Sequence, residues 1–454
     1  MFTLLGGFSK DAGQRFPVGI KDRHEIRDPI YGFIHLSNSE RRLVASEPFQ
    51  RLRHIHQLAL TSMVYPAATH KRFEHSLGVM HLAGRVFDTV VANMRPEVSE
   101  RLPEMRENVD QWRRLIRAAA LLHDIGHLPF SHAAEAELLP VGQSHESLTI
   151  KLLKESELGA ILTEKPFSAS LDDVIKLSVG TKDAPDGLIF SEWETILAEI
   201  ITGSAFGVDR LDYLMRDSYH AGVAYGSLDY LRLTDCLRIL PFPEEGEQLD
   251  EAKLKMGVTE GGLFSSEALV MARHWMFSQV YFHRVRMLYD EYLCRFLLEW
   301  LGEGGYPITV EGHLNLTDNH VFVALNEAAG DPTSKGHQWA KRIVRRQHHA
   351  LLESFPVDIG QKSEKELRAK VETLQQSFEK DDILLLKRAK KASVEDFPVE
   401  GSGKEIRASS LLSGILSKTP DAYALNLYAE RNQIEKIRKR WKEIHGKARR
   451  DLGD

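Results

Sequence analysis

Cysteine is nearly missing from this chain, with only Cys236 and Cys294 among 454 residues. Two thiols cannot build a disulfide framework, and without a CxxC pair they cannot build a thiolate zinc site. Long apolar runs are missing as well. Arg, Glu or Asp interrupts every stretch that approaches about 18 apolar residues, so no membrane span is expected. The opening MFTLLGGFSK lacks a basic region and has too short an apolar stretch for a secretory signal, which makes the cytoplasm the expected location. Surplus positive charge is absent too. The formal net charge of −6 gives no general field for polyanions, so a phosphate-bearing ligand must meet a local basic cluster. With 43% hydrophobic and 27% charged residues the composition is that of an ordinary globular protein. A length of 454 residues predicts two or three lobes.

The patterning predicts a mainly α protein: a helical core with small β-hairpin elements and an α(+β) C-terminal lobe. Asp28-Pro29-Ile30-Tyr31-Gly32, flanked by short β-type runs, reads as a hairpin turn inside an N-terminal segment 1–48. Residues 49–300 form the expected core. There Phe73, Leu77, Met80, Gly84, Phe87, Val91 and Met94 recur at helical steps. A second helix, N-capped at Asp110, carries Leu115, Ile116, Ala119 and Leu122 inward and stops at Gly126. Further helices are expected over 147–158, 193–202, 209–219 and 265–301, a loop over 181–187, and a strand over 254–258. In the accessory lobe, 301–454, residues 315–325 read as strand-like, 362–380 as a charged helix, and Gly401-Ser402-Gly403 as a linker.

Histidine is plentiful, 20 in all, so no single one is informative. Order and spacing are. His75 precedes His123-Asp124-Ile125-Gly126-His127, and Asp209 follows on a later helix. Two neutral imidazoles and two carboxylates suit one hard divalent cation, offsetting its charge while leaving about two octahedral positions open. The sequence does not discriminate among Mn, Mg, Fe, Co, Ni and Zn. On a helical wheel Asp209, Arg210, Tyr213 and Asp217 share one strip, with Leu211, Leu214 and Met215 on the packing side. A solvated charged face would explain Arg210 and Asp217 but not a tyrosine set between them.

The text around these residues, RFEHSLG at 72–78, HDIGHLPFSH at 123–132 and DRLDYLMRD at 209–217, resembles the HD superfamily of metal-dependent phosphohydrolases. Within it, the resemblance is to the branch that hydrolyses deoxynucleoside triphosphates to deoxynucleoside and inorganic triphosphate. It implies metal ligation by His75, His123, Asp124 and Asp209, and phosphate binding by Arg72, Arg210 and Arg273. Gln57 and Leu58 would lie beside base and sugar, Tyr213 would stack, and Asp217 would hold the sugar. Tyr281 and His283 would line the nucleotide pocket. His127 would sit beside the ligands or touch phosphate.

Catalysis needs a proton donor for the leaving 5′-oxygen and an attacking water. His132 and His145 are the candidates, with Glu135 and Glu146 as orienting carboxylates, Glu135 replacing the family's usual aspartate. The resemblance also implies a homo-dimer or tetramer. Ala45 and His24 stand where GTP-activated members carry a carboxylate and a basic residue, which argues against GTP and leaves another nucleotide activator open. The basic helix at 431–450 could contact nucleic acid, but Ile434, Ile437, Trp441 and Ile444 at helical spacing favour an ordinary packed amphipathic helix. Other readings are action on a monophosphate or signalling nucleotide, or a non-catalytic nucleotide sensor or nucleic-acid-binding protein.

Overall fold

The computed structural model describes residues 24–131, 135–243, 252–355, 361–391 and 394–450. Strands β1 (His24–Asp28) and β2 (Gly32–Leu36) pair antiparallel. Asp28 shapes their turn by accepting the N–H groups of Ile30 and Tyr31 at 2.8 and 3.0 Å, while Gly32 takes the left-handed conformation at φ 78°. Helix α1 (Arg72–Ala92) then runs through the centre of the larger core. Leu77, Met80 and Phe87 are buried on one side of it, and Val79, Leu82 and Val86 on another, so an imidazole on this helix is enclosed by protein. Helix α2 (Val109–Leu122) lies against α1 and hands the chain to His123. Its first turn begins one residue before Asp110, so that carboxylate favours the helix N-terminus from inside the turn instead of capping it.

Helices α3 (His145–Glu155), α4 (Leu171–Asp183), α5 (Glu192–Thr202) and α6 (Val208–Ala221) complete this core. The loop expected over 181–187 is shorter than predicted: α4 continues to Asp183 through a kink at Gly180, whose φ of +75° redirects the last turn. Strands β3 (Leu237–Pro241) and β4 (Leu254–Thr259) form an antiparallel pair. Beyond them come α7 (Leu263–Met276), one π-helical turn at Phe277–Tyr281, and α8 (Arg284–Leu301). Among the described residues, no helix is long and apolar enough to cross a membrane.

Two sequence expectations fail in the C-terminal part. The stretch 315–325 is not a strand. It contains the start of helix α9 (Asp318–Gly330), because Thr317 and His320 form a capping box and Val321, Leu325 and Ala328 then fall on one buried face. After β5 (Ala350–Phe355), α10 (Gln361–Gln375) and β6 (Ile383–Lys390), the Gly401–Gly403 segment is a turn and not a linker. It joins β7 (Pro398–Glu400) to β8 (Ile406–Ala408). Strand β7 pairs parallel with β4, giving a sheet of order β3-β4-β7-β8. The third sheet, β5-β9-β6, is antiparallel about β9 (Ala422–Ala429). Helix α11 (Ile434–Arg450) covers it with Ile437 and Trp441, the amphipathic packing its spacing predicts.

Close approach at Gly126 fastens the turn after the His-Asp doublet to α3. A Cβ there would lie 2.1 Å from the carbonyl of His145 and 2.4 Å from the amide of Thr149, both backbone atoms. Gly126→Ala is therefore expected to destabilise the protein by about 1–3 kcal/mol. A thermal melt checks this, and an unchanged midpoint would show that the turn can move aside.

Candidate active site

The end of α2, the first turns of α1 and the start of α6 bring four side chains together. His75 Nε2 lies 3.5 Å from Asp124 Oδ2 and 3.1 Å from Asp209 Oδ1. His123 Nε2 lies 3.3 Å from Asp124 Oδ1 and 3.6 Å from Asp209 Oδ1. Both Nε2 atoms are buried, and neither makes a hydrogen bond of good geometry to the described residues. Their Nδ1 atoms are engaged: His75 Nδ1 donates to Asp212 Oδ2 at 2.8 Å, and His123 Nδ1 to the carbonyl of Ala120 at 2.8 Å. A proton fixed on Nδ1 leaves an Nε2 lone pair facing the carboxylates, which is how histidines are prepared as metal ligands. The donor set, two imidazoles and two carboxylates, fits a divalent cation.

Electrostatics agrees with that fit. Burial opposes charge on His75, yet Asp209 and Asp212 outweigh it and lift its pKa to about 10. Burial likewise works to raise Asp124, but Arg72, then His123 and His127, hold it well below the carboxylate range. For Asp209 the same opposition is overcome by His123 and His75. Asp124 stays ionised although buried and Asp209 although partly buried, and the Nε2 proton that they hold on His75 marks the place a cation would take, leaving as the cation binds.

Behind the cluster lies a network that no motif reading assigned. Asp212 accepts from His75, from Tyr31 Oη at 2.8 Å, and from Arg216 Nε and Nη2 at 2.9 Å each. Arg216 also donates to Asp28 Oδ2 at 2.8 Å. Gly78 on α1 makes room, since a Cβ there would fall 1.9 Å from Asp212 Oδ1. The signal in the sequence was the i,i+4 spacing of Asp212 and Arg216, one turn beyond Asp209. Tyr31 and Asp28 are too remote along the chain for spacing to reveal.

On the other side of Asp124, His127 and His145 stack with ring centroids 3.9 Å apart. His127 Nε2 is 3.2 Å from Asp124 Oδ1. His145 donates from its backbone N–H and from Nδ1 to Glu135 Oε1, at 2.8 and 2.7 Å, and its Nε2 lies 3.1 Å from Glu146 Oε1. Glu135 thus serves His145 directly. His132, expected as its partner, lies outside the described residues. Burial, Arg72 and His145 push the His127 pKa well down. Against burial, Glu135, Glu146 and Asp124 raise that of His145. Two stacked rings are driven apart, one neutral and one holding its proton.

The nucleotide-side residues divide into groups. Tyr213 lies edge-on to Tyr281 with centroids 6.4 Å apart. Arg210 and Arg273 are beside Tyr213. Asp217 accepts from Tyr281 Oη at 2.6 Å and pairs with His70 Nε2 at 2.7 Å, so His70 joins the set although the sequence reading passed over it. Arg72 is engaged with the Asp124 carboxylate and with Ser131 Oγ at 2.8 Å, an orienting position for a residue expected on phosphate. Gln57 is tied to His70 through its backbone N–H at 3.0 Å, and Leu58 is buried. His283 caps α8, accepting from the N–H of Val285 at 3.3 Å, with its ring against Tyr65.

Residues 72–177 match the family model for the HD domain, and residues 247–448 match that for the HD associated region. A solved structure of a hypothetical protein from Aquifex aeolicus is 30% identical, with a TM-score of 0.74 over 92% of this chain and 99% of that one. The chain belongs to the HD-domain phosphohydrolase family. A solved phosphohydrolase from Bacteroides thetaiotaomicron is 25% identical, with a TM-score of 0.67 over 90% of this chain and 100% of that one. The chicken deoxynucleoside triphosphate triphosphohydrolase SAMHD1 is 28% identical over 72% of this chain and 55% of its own length. The chain spans about half the length of the curated relatives it matches.

Within this HD-domain chain the test of the metal centre is Asp212. Asp212→Asn keeps the shape but removes the charge that fixes the His75 tautomer and faces Arg216. Metal affinity should fall about 10–100-fold, measured by metal content after dialysis against a graded chelator. Unchanged retention would show that Asp212 does not orient His75.

Proposed function

We propose that this protein hydrolyses deoxynucleoside triphosphates to deoxynucleoside and inorganic triphosphate. One observation carries the proposal: the His75–His123–Asp124–Asp209 cluster, buried except for the partly exposed Asp209, is accompanied by Arg210 and Arg273 beside Tyr213 and by carboxylate-clamped His145. Family membership supports phosphohydrolysis, and the similarity to a named deoxynucleoside triphosphate triphosphohydrolase supports the substrate class.

His75, His123, Asp124 and Asp209 would hold one divalent cation, which when bound supplies Lewis acidity and positive charge at the substrate's phosphate. Arg210 and Arg273 bind the phosphate chain, their planar donors matching its oxygens. Arg72 keeps Asp124 ionised and aimed. Tyr213 and Tyr281 wall the nucleoside. Asp217, aligned by His70 and Tyr281, accepts from the sugar, and Gln57 and Leu58 close the opposite side. His145 enters protonated and gives its proton to the 5′-oxygen as the bond from that oxygen to the α-phosphorus breaks, while water adds to the phosphorus and loses a proton to solvent, from which His145 is protonated again. Glu135 and Glu146 hold the ring for that transfer. His132 is the second proton-transfer candidate, and His127 stays neutral against the phosphate.

Inorganic triphosphate should be the phosphate product when the metal-loaded protein is incubated with each dNTP and the products are separated by ion chromatography. Release of orthophosphate alone would overturn the proposal and favour a phosphatase. The pH profile follows from the sign of the His145 shift. Its proton is present below the raised pKa and lost above it, so turnover should fall on the alkaline side, at a pH above the ordinary histidine range. His145→Ala should cut turnover by about 10²–10⁴-fold and remove that limb while metal stays bound. Arg273→Ala should instead raise KM at least as much as it lowers turnover.

A further inference from the structure

The His70 side chain has no exposed surface, and burying a polar ring is costly unless the ring is hydrogen-bonded. Nε2 meets Asp217 Oδ1 at 2.7 Å, whereas Nδ1 makes no hydrogen bond to the described residues. Among the described residues, then, the ring's hydrogen bonding is directed at Asp217 alone.

Both ends of that bond are fixed. The carbonyl of His70 accepts the N–H of Gln57 at 3.0 Å, and that of Ile55 accepts the N–H of Arg72 at 3.0 Å. His56 and Lys71 thereby form a short antiparallel bridge, so His70 cannot swing without moving segment 55–57. On α6, His220 stands three residues beyond Asp217, on the same helix face. Its ring stacks on His70 with centroids 4.4 Å apart and planes 12° from parallel. Burial, then His70 and Arg216, pushes the His220 pKa down to about 4, so a neutral ring covers that face. Helix α6 grips His70 twice, at the edge through Asp217 and at the face through His220.

Asp217 is buried, and no arginine among the described residues pairs with it. Its neighbour Arg216 is turned to Asp212 and Asp28. Tyr281 Oη donates to Asp217 Oδ2 at 2.6 Å. Burial, then the Asp217 charge, raises the Tyr281 pKa well above its usual value, which keeps the hydroxyl a donor. With one donor on each oxygen the carboxylate is fixed in plane and direction, and each oxygen keeps a further acceptor position. The sugar of a deoxynucleotide carries one free hydroxyl donor, at its 3′ carbon.

We infer that His70, backed by His220, is the positioning residue through which Asp217 selects a free 3′-hydroxyl on the nucleoside sugar. The inference rests on the proposed role of Asp217 at the sugar and adds a basis for selectivity. A site built around such a bond rejects an analogue that lacks the hydroxyl. It equally rejects a nucleotide whose 3′-oxygen is esterified, as within a nucleic-acid strand. Mononucleotides are thereby chosen over chains.

The test uses the metal-loaded full chain with a dNTP and the matching 2′,3′-dideoxynucleoside triphosphate. The parent should favour the dNTP about 10–100-fold in kcat/KM. His70→Phe keeps a ring against His220 but removes the donor, and should cut that preference about tenfold, mainly through KM. His70→Gln, which returns an N–H near the Nε2 position, should restore most of it. His220→Ala keeps the donor and uncovers its face, with an expected loss of about threefold, and gives a second reading should His70→Phe fail to fold. Calorimetric binding of the deoxynucleoside and the dideoxynucleoside should show the same order without turnover. Metal content and melting temperature on the same preparations certify the fold, since a merely structural role would weaken both substrates alike. Parent-like preference in the folded variants, or a parent that does not distinguish the two nucleosides, overturns the inference. If the binding preference responds to His70 while only orthophosphate is released, the proposed reaction fails and the His70 assignment stands.

Discussion

The site depends on one buried carboxylate, Asp212. It decides which nitrogen of His75 carries a proton, and so whether an imidazole lone pair or an N–H faces Asp124 and Asp209. An isolated carboxylate at that depth would be expensive and would protonate. Arg216 and Tyr31 prevent this by filling its remaining acceptor positions, and burial is overcome so that its pKa stays low. Asp28, which shapes the β1–β2 turn, neutralises the far side of Arg216. The N-terminal hairpin is therefore part of the metal centre although none of its atoms reaches the cluster.

The same economy joins the C-terminal half to the turn after the His-Asp doublet. Asp318, at the start of α9, accepts from the backbone N–H of Phe130 at 2.8 Å and from His56 at 2.7 and 2.6 Å. Phe130 and Ser131 both adopt positive φ, 57° and 58°. Such residues keep that conformation only where surroundings determine it, and here a buried carboxylate and the packing of Phe130 among α8 and α9 side chains do so. Arg51 adds a second tie, donating to the carbonyls of His127 and Leu316 at 2.8 and 2.9 Å. The turn that follows the His-Asp doublet is thus held by residues from both halves of the chain.

His127 and His145 show how position separates two like residues. They share one stack and one neighbouring carboxylate, yet Arg72 faces the first and two glutamates face the second. One environment expels a proton and the other keeps it. Neutral and charged imidazoles side by side give the site an acceptor and a donor without a change of residue type.

Much of this was legible in the sequence, because the signals were local. The period of apolar residues in 72–92 and 109–122, the capping and turn chemistry at Asp28–Gly32, and the amphipathic stripe of 434–450 each concern neighbours within a few residues. The strip Asp209–Asp217 followed from helical geometry alone. Long-range pairing lay beyond that reach. Strand character in 315–325 gave way to a capped helix because one hydrogen-bonded box and a buried face outweigh weak β propensity. The glycines at 401–403 read as a linker because flexibility looks alike in a linker and a tight turn, and only pairing of β7 with β4 separates the two. Sequence determined which residues could bind metal and phosphate. Tertiary structure decided which nitrogen His75 presents, which carboxylates hold His145, and that His70 reaches Asp217, since each depends on groups brought together from different parts of the chain.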